Sequence, residues 1–476
     1  MNKLVQFPSI TQAYPAKSSP EARKHNFKEI YNPFNPKEAS AQASRCSQCG
    51  VPFCQVHCPL GNNIPDWLKL VAEGRMQEAY QVSSATNTFP EICGRICPQD
   101  RLCEGNCVIE KGYESVTIGA VEKHITENAF AEGWVKPPLP AQENGLSIGI
   151  IGAGPAGLAA AELLRRKGYE VHIYDRYDRA GGLMIYGIPE FKLEKHVVKR
   201  RHALFEQAGI KFHFNCEIGR NINLNELRSH HSAILIATGV YKARTAETPG
   251  SDLPGILPAL TYLTASNKAC LGDEAVELEN GHLNAAGKQV VVIGGGDTAM
   301  DCVRTAVRQG ATKVTCLYRR DRENMPGSRR EVKNAEEEGV EFRWLSLPKA
   351  FVGKEKIEAV TAVQTRMGAT DASGRAAPEE VPGSELTLQA DMVINALGFE
   401  AEDLPHAFGE PELKISRNGT LAVEEKTLMT SLPGIFAAGD IVRGASLVVW
   451  AIKDGRDAAE AIGKWIASKQ SKITTQ

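Results

Sequence analysis

The chain has 476 residues, too many for one compact core, so we expect two or three domains. Hydrophobic residues make up 42% and charged residues 24%, as in ordinary globular proteins, and the formal net charge of −2 offers no electrostatic footprint for nucleic acid or an anionic membrane. The sequence contains no run of about 18 apolar residues, the length that a membrane-spanning helix requires. These features predict a cytoplasmic protein with neither nucleic acid nor membrane as a partner.

The first segment of the chain is predicted to be mainly helical. Apolar residues follow helical spacing through IPDWLKLVAEGRMQEAYQV, and Ile118, Val121 and Ile125 repeat that spacing further on. The proline-rich stretch KPPLPAQENG near residue 140 ends the pattern, which predicts a domain boundary there.

Eight of the twelve cysteines fall in this helical segment, at short spacings: Cys46, Cys49, Cys54, Cys58, Cys93, Cys97, Cys103 and Cys107. In a reducing compartment such dense cysteine favours metal binding over disulfides. Structural zinc sites generally use paired CxxC knuckles, whereas Cys58 and Cys97 each directly precede a proline, as one cysteine does in ferredoxin-type ligation. Eight such cysteines predict two 4Fe-4S clusters.

The next predicted elements form a strand, a glycine turn and a helix. The turn has the GxGxxG pattern and lies between the β-like run at 147–151 and an Ala/Leu-rich helix; its residues are Gly152, Ala153, Gly154, Pro155, Ala156 and Gly157. Such a turn lets the backbone approach a pyrophosphate at the positive end of the helix. Asp175, at the end of the second strand, is placed to accept hydrogen bonds from a ribose.

A second unit repeats this pattern, with the variant GxGxxA between a Val/Ile strand and a helix: Gly294, Gly295, Gly296, Asp297, Thr298 and Ala299. Its second strand ends in Arg319 and Arg320 instead of an acid. Two arginines at the ribose position favour a 2′-phosphate, so this unit is predicted to bind NADP(H). Further on, the Gly- and Ala-rich stretch at 367–385 is predicted to be a surface connection.

Two such units in one chain resemble the two-dinucleotide flavoproteins of the pyridine nucleotide–disulfide oxidoreductase type. In that family FAD occupies the first site, and the nicotinamide domain is inserted into the FAD domain. The resemblance implies an α/β fold with two Rossmann-like dinucleotide-binding domains, preceded by a mainly helical iron–sulfur domain. We therefore expect the iron–sulfur domain at 1–144, the FAD domain at 145–286 and 399–476, and the NADPH domain at 287–398.

The same resemblance implies further residues in the FAD site. Gly439 and Asp440 are expected to reach the ribityl chain of the flavin, and Arg176, Gly182 and Leu183 are added to the site. The disulfide oxidoreductases also carry a redox CxxC near the flavin. This sequence has no CxxC outside its N-terminal segment, so electrons are expected to leave the flavin by another route.

Along nearly its whole length the chain resembles the small subunits of glutamate synthase, notably in CPQDRLCEGNC, YGIPEFKLEK, GGGDTAMDCVRTAVRQGATKVTCLYRRD and NMPGSRREVKNAEEEGVEF. That family's pattern implies one cluster on Cys46, Cys49, Cys54 and Cys107, and another on Cys58, Cys97 and Cys103. The fourth ligand of the second cluster is either Glu122 or Cys93, with Glu122 favoured.

The resemblance implies an NADPH-oxidising flavoprotein in which electrons pass from FAD through the 4Fe-4S clusters to FMN in a separate large subunit. That subunit carries the amidotransferase and makes L-glutamate from L-glutamine and 2-oxoglutarate. No catalytic side chain is expected in this chain, because hydride moves between bound cofactors. The alternative is a module of the same fold that serves ferredoxin or another reductase. A non-enzymatic binding protein is disfavoured because both fingerprints and all eight cysteines are intact.

Overall fold

The computed structural model describes residues 4–245, 248–274, 276–370 and 376–474. Two five-stranded parallel sheets, each covered by helices, follow a helical N-terminal domain. The α/β fold implied by the resemblance to the two-dinucleotide flavoproteins is therefore confirmed.

The N-terminal domain is built from short helices. A fully buried Trp67 and the apolar faces of the longer helices form its core, together with several cysteine side chains. The predicted long helical stretch is two helices, because Gly74 adopts φ +82° and ends the first of them. The helices are α1 (Pro20–Lys24), α2 (Pro36–Ala43), α3 (Phe53–Val56), α4 (Ile64–Glu73), α5 (Met76–Thr86), α6 (Pro90–Ile96), the 3₁₀ turn Gln99–Arg101, α7 (Glu110–Tyr113) and α8 (Ile118–Ala131).

The first parallel sheet has, in spatial order, the strands β15 (Ile435–Ala437), β4 (Ala233–Ile236), β1 (Ser147–Ile151), β2 (Glu170–Tyr174) and β3 (Lys211–His213). Its strand β4 is wholly apolar and β1 is buried after its first residue, as expected for a sheet covered on both faces. The elements before the second sheet are β1 (Ser147–Ile151), α9 (Pro155–Arg166), β2 (Glu170–Tyr174), α10 (Leu183–Tyr186), α11 (Lys195–Gln207), β3 (Lys211–His213), α12 (Leu224–His230), β4 (Ala233–Ile236) and β5 (Lys242–Ala243).

The second parallel sheet has the order β6-β13-β7-β8-β9 and is an insertion in the first domain. Its elements, with the strands that accompany it, are β6 (Ile256–Pro258), α13 (Ala259–Leu271), α14 (Val276–Glu279), β7 (Gln289–Ile293), α15 (Asp297–Arg308), β8 (Lys313–Leu317), α16 (Arg329–Glu337), β9 (Glu341–Arg343), β10 (Ser346–Val352), β11 (Ala359–Thr370), β12 (Ala376–Gln389), β13 (Met392–Asn395) and β14 (Phe399–Glu400).

Residues 256–271 belong to this second sheet and its helical layer, although the sequence pattern puts the domain boundary at 287. Strand β6 pairs in parallel with β13, and α13 packs in the same apolar core. The strand is only three residues long and shows no periodicity of its own, so the pairing that defines it is a tertiary feature.

A three-stranded antiparallel sheet, β10-β11-β12, accompanies the second domain. Part of it falls within 367–385, the stretch predicted to be a surface connection. Residues 371–375 lie outside the described part, but the flanking residues continue β11 and β12. The prediction of a connection was therefore wrong for these flanks, because cross-strand pairing overrides their weak strand propensity.

The chain then returns to the first domain. The remaining elements are α17 (Leu404–Ala407), β15 (Ile435–Ala437), α18 (Asp440–Arg443) and the long α19 (Val448–Thr474). Helix α19 packs along α9, where Gly455 comes so close that a Cβ would lie 2.0 Å from the Ala156 carbonyl oxygen. The N-terminal domain packs on the first domain through the buried ion pair of Glu91 with Arg201, whose Nε lies 2.7 Å from Oε1.

Candidate functional site

The first glycine turn joins β1 to α9. Gly152 has φ +110°, and a Cβ there would lie 2.3 Å from the Ala237 carbonyl oxygen. A Cβ at Gly157 would lie 2.0 Å from the Gly152 carbonyl oxygen, so both glycines are needed for close packing of the turn, strand and helix. A Cβ at Gly154 would meet nothing within 4 Å. This glycine leaves space at the amino end of α9, as a bound pyrophosphate requires.

Asp175 follows β2, and its carboxylate organises this turn. Oδ2 accepts a hydrogen bond from the Ala153 amide at 2.6 Å, and Oδ1 accepts one from the Tyr177 amide at 2.8 Å. Burial raises the pKa of the Asp175 carboxyl. Each carboxylate oxygen retains a second lone pair, so the group can still accept a hydrogen bond from a ribose hydroxyl.

The turn opens into a cleft of about 1160 Å³, a volume that includes open solvent at its mouth. Of the predicted FAD residues, eight line it: Gly152, Gly154, Pro155, Ala156, Asp175, Arg176, Leu183 and Asp440. The Asp440 carboxylate enters from the C-terminal part of the chain and accepts a hydrogen bond from Ser446 Oγ at 2.7 Å. Burial raises the pKa of this carboxyl as well. Glycines that support the lining include Gly182, where a Cβ would lie 2.9 Å from the Gly154 Cα, and Gly439, where it would lie 2.9 Å from the Ala156 Cβ.

The second glycine turn joins β7 to α15 and repeats the geometry. Gly294 has φ +144°, and a Cβ there would lie 2.3 Å from the Ala396 carbonyl oxygen. A Cβ at Gly296 would meet nothing within 4 Å, as at Gly154 of the first turn. Asp297 begins the helix, and its Oδ1 accepts a hydrogen bond from the Ser328 amide at 3.0 Å. Thr298 is half-buried and Ala299 is fully buried.

Arg319 and Arg320 lie just beyond β8, beside this second turn. Neither guanidinium forms an ion pair with an acid of the described residues, whereas nearby Arg322 lies 2.8 Å from Glu336. The Nε of Arg320 is buried and has no hydrogen-bond partner within the part of the chain that the structure describes. A buried cationic donor without a hydrogen-bond partner is suited to bind an anionic ligand such as a 2′-phosphate.

Four of the eight thiols gather beside α3 and the loop before α7: Cys46, Cys49, Cys54 and Cys107. Burial, together with the neighbouring thiols, raises the pKa of Cys54 to about 12 and that of Cys46 to about 11. The structure thus brings together the first predicted ligand set.

The other four thiols line a small cavity with Glu122: Cys58, Cys93, Cys97 and Cys103. The Glu122 Oε1 accepts hydrogen bonds from Asn62 Nδ2 at 3.0 Å and Asn87 Nδ2 at 3.1 Å, and burial raises the pKa of this carboxyl to about 8. Cys93 Sγ lies 3.7 Å from Asn87 Oδ1. Both candidates for the fourth ligand therefore reach the second set.

Within the described residues, no group of three or more His, Cys, Asp or Glu side chains is spaced to hold a single metal ion. Thiolates that bind a four-iron cluster each contact a different iron atom, so they stand farther apart than ligands of one ion. Buried thiols ionise only when a positive charge offsets their desolvation. The two sets of converging thiols, each with two buried and two half-buried members, fit iron–sulfur clusters.

Helix α19 connects the two sites. Val448, at its first residue, lines the cleft, and the adjacent Val449 lines the thiol cavity. This contact has no signal in the sequence, because residues near 93 and 449 meet only in the folded chain. The same is true of Tyr241 and Glu402, which line the cleft beside Arg176 and carry no motif.

The fold and these sites define a two-dinucleotide oxidoreductase with an N-terminal iron–sulfur domain. Two family models match the chain: dihydropyrimidine dehydrogenase domain II, 4Fe-4S cluster, at residues 23–134, and pyridine nucleotide-disulphide oxidoreductase at residues 146–455. A solved structure of Mycobacterium tuberculosis FprA in complex with NADPH is similar in fold, with a TM-score of 0.57 and 19% identity over 69% of this chain and 86% of that one.

Comparison with curated relatives identifies the family within this class of oxidoreductases. The chain is 64% identical over 468 residues to a glutamate synthase [NADPH] small chain of Azospirillum brasilense, covering 98% of this chain and 97% of that one. It is 46% identical over 466 residues to the protein of that name from Escherichia coli, covering 97% and 98% respectively. The chain belongs to the glutamate synthase [NADPH] small chain family.

Proposed function

We propose that this chain is the electron-donating subunit of a glutamate synthase and acts as an NADPH-dependent oxidoreductase. The proposal rests mainly on one observation: the dinucleotide cleft and the thiol cavity are both lined by residues at the start of α19. In this proposal a two-electron site, the cleft, lies beside a one-electron site, the thiol cavity. The relationship to a glutamate synthase small chain along nearly the whole sequence supports the same conclusion.

The first cleft is assigned to FAD and the second glycine turn to NADPH. When bound, FAD accepts a hydride from NADPH and releases its electrons singly to iron–sulfur clusters. The amino end of α9 binds the FAD pyrophosphate, Asp175 its ribose and Asp440 its ribityl hydroxyls. At the second turn, the amino end of α15 binds the NADPH pyrophosphate, while Arg319 and Arg320 bind the 2′-phosphate.

The thiols are assigned to two 4Fe-4S clusters. Cys46, Cys49, Cys54 and Cys107 hold one, and Cys58, Cys97, Cys103 and Glu122 hold the other. Glu122 is favoured over Cys93 because two amide side chains, from Asn62 and Asn87, hold its carboxylate in the cavity. Cys93 is then a neighbouring thiol.

The acceptor is a separate large subunit that carries FMN and the amidotransferase. The eight thiols of the two sets are assigned to the clusters in this proposal, so the nucleophile that attacks glutamine is assigned to the partner. No helix in the described ranges is long and apolar enough to cross a membrane. We place the complex in the cytoplasm.

The test measures glutamine- and 2-oxoglutarate-dependent NADPH oxidation by the anaerobically purified chain, with and without its large subunit. We expect glutamate only when both chains are present, and dye reduction by this chain alone. NADPH-dependent dye reduction without glutamate formation in the reconstituted complex would overturn the assigned acceptor while leaving the oxidoreductase class intact.

A further inference from the structure

Arg176 lies in an unusual setting at the wall of the FAD cleft. Its guanidinium carbon lies 5.2 Å from the centroid of the Tyr177 ring and 4.9 Å from that of the Tyr241 ring. Both rings therefore contact one cation, which favours a fixed side-chain position. Because Arg176 directly follows Asp175, this wall lies at the ribose position of the cleft.

The same guanidinium reaches across to the other part of the FAD domain. Its Nη1 donates a hydrogen bond to Glu402 Oε1 at 2.9 Å. Glu402 follows β14, and β14 pairs with β5, which begins directly after Tyr241. These two strands form the connection between the two dinucleotide domains. Arg176 thus joins the end of β2 to both strands of that connection, and all four side chains line the cleft.

We propose that Arg176 and Glu402 form a latch that closes the cleft wall over bound FAD and slows its release. The inference rests on the assignment of FAD to this cleft. Opening the wall at the ribose position separates β2 from the interdomain connection, and this separation breaks the ion pair. The side chains of Arg176 and Glu402 are 31% and 34% exposed, so the pair lies at the mouth of the cleft and not in the core. Both residues are positioning residues, because neither takes part in hydride transfer.

The experiment measures the rate of FAD release from the purified holoprotein by the recovery of flavin fluorescence after dilution. Glu402→Gln removes the charge and is expected to speed release about threefold to fivefold, as for a partly exposed ion pair. Arg176→Ala also removes two ring contacts and is expected to speed release about tenfold or more. The thermal stability of the FAD-free protein is measured in parallel and is expected to change little, because a latch acts on the bound state.

The same connection offers a matched control. Glu400 lies on β14 near Lys242 and Arg244 and does not line the cleft. Glu400→Gln is expected to leave the release rate unchanged. The double variant Arg176→Glu with Glu402→Arg restores opposite charges, so it should release FAD more slowly than the two single reversals predict together.

Three outcomes would overturn the latch. Release at the wild-type rate from both single variants would show that the pair does not retain FAD. An equal acceleration of FAD release by Glu400→Gln would show that the effect comes from the β5–β14 connection as a whole and not from the Arg176–Glu402 pair. Absence of FAD from the wild-type protein would remove the FAD assignment and the latch with it, whereas FAD retention without a latch effect leaves the proposed function standing.

Discussion

At the scale of single residues, two glycines of the first turn respond differently to an added methyl group. Gly152→Ala places a Cβ 2.3 Å from a backbone oxygen at φ +110°, whereas the Cβ of Gly154→Ala meets no protein atom within 4 Å. We expect Gly152→Ala to lower the free energy of unfolding by roughly 2–4 kcal/mol, through strain and overpacking. Gly154→Ala should fold with wild-type stability but bind FAD more weakly, because the methyl group occupies the pyrophosphate space.

Thermal unfolding of the FAD-free proteins and FAD titration by fluorescence check both expectations. Equal stability losses in the two variants would contradict this division between a folding glycine and a binding glycine.

The arginines after β8 allow a test of nucleotide choice. Arg320→Ala removes a cationic donor that has no acidic partner in the described residues, so the KM for NADPH should rise about tenfold to a hundredfold, the range for a charged hydrogen bond. The KM for NADH, which lacks the 2′-phosphate, should change little. Arg322→Ala is the control, because Arg322 already pairs with Glu336 at 2.8 Å. Steady-state dye reduction with both nucleotides measures the effect, and an equal loss for NADH would contradict the 2′-phosphate role.

The fourth ligand of the second cluster can be decided by substitution. If Glu122 is the ligand, Glu122→Ala should reduce cluster iron content or alter the electron paramagnetic resonance signal of the reduced protein, because an oxygen ligand is lost. Cys93→Ser should leave both nearly unchanged. The reverse pattern would make Cys93 the ligand. Iron and sulfide analysis of anaerobically purified proteins gives the comparison independently of activity.

At the scale of elements, the contact between α9 and α19 lies next to both sites, because α9 borders the cleft and α19 begins between the cleft and the thiol cavity. Gly455→Ala would place its Cβ 2.0 Å from the Ala156 carbonyl oxygen, so the helices must separate. We expect a loss of about 1–3 kcal/mol of unfolding free energy together with weaker FAD binding.

Gly463 on the same helix is the matched control. Its added Cβ would lie 3.6 Å from the Lys167 Nζ, which is an ordinary contact. Gly463→Ala should stabilise the helix by about 0.5–1 kcal/mol through helix propensity alone. Chemical unfolding monitored by circular dichroism measures both variants. A neutral Gly455→Ala would show that the helices can shift without cost.

At the scale of the whole molecule, a buried cluster of charges ties the N-terminal segment to the NADPH domain. The Glu338 carboxylate contacts Arg23 at 3.2 Å, Arg304 at 2.9 Å and Arg308 at 2.7 Å. Lys192, from the domain of the first parallel sheet, pairs with Asp301 at 2.7 Å and lies 3.8 Å from Glu331, which in turn pairs with Arg304 at 2.5 Å. Residues from all three domains therefore meet in one ion-pair network, which is expected to hold the NADPH domain in a defined orientation.

Arg23→Ala tests this network. Removing one partner from a buried set of charges costs roughly 3 kcal/mol, so the N-terminal segment should detach from the NADPH domain and become sensitive to limited proteolysis. Lys24→Ala is the control, because Lys24 pairs only with the exposed Glu21 of its own helix among the ion pairs of the described residues. Equal protease resistance of wild type and Arg23→Ala would contradict the role of the cluster.

Some features of this protein were accessible from sequence because they are local. The first glycine of each strand–turn–helix unit adopts a positive φ that other residues avoid. The glycine patterns that begin at Gly152 and Gly294 therefore predict the two turns directly. Eight cysteines at short spacing likewise indicate an iron–sulfur domain, because structural zinc sites generally use paired CxxC knuckles instead. The α/β fold, the two dinucleotide units and the iron–sulfur domain followed from these patterns.

Other features were decided only by tertiary structure, because they join residues far apart in the chain. Strand β6 exists through its pairing with β13, and β11 and β12 extend through mutual pairing where local propensity is weak. Val449 reaches the thiol cavity, and Glu402 reaches Arg176, through contacts that no local spacing encodes. Short-range patterns of glycine and cysteine in the sequence thus determined the classes of cofactor, because turns and closely spaced ligands are local, whereas long-range packing decided how the cofactor sites lie next to each other.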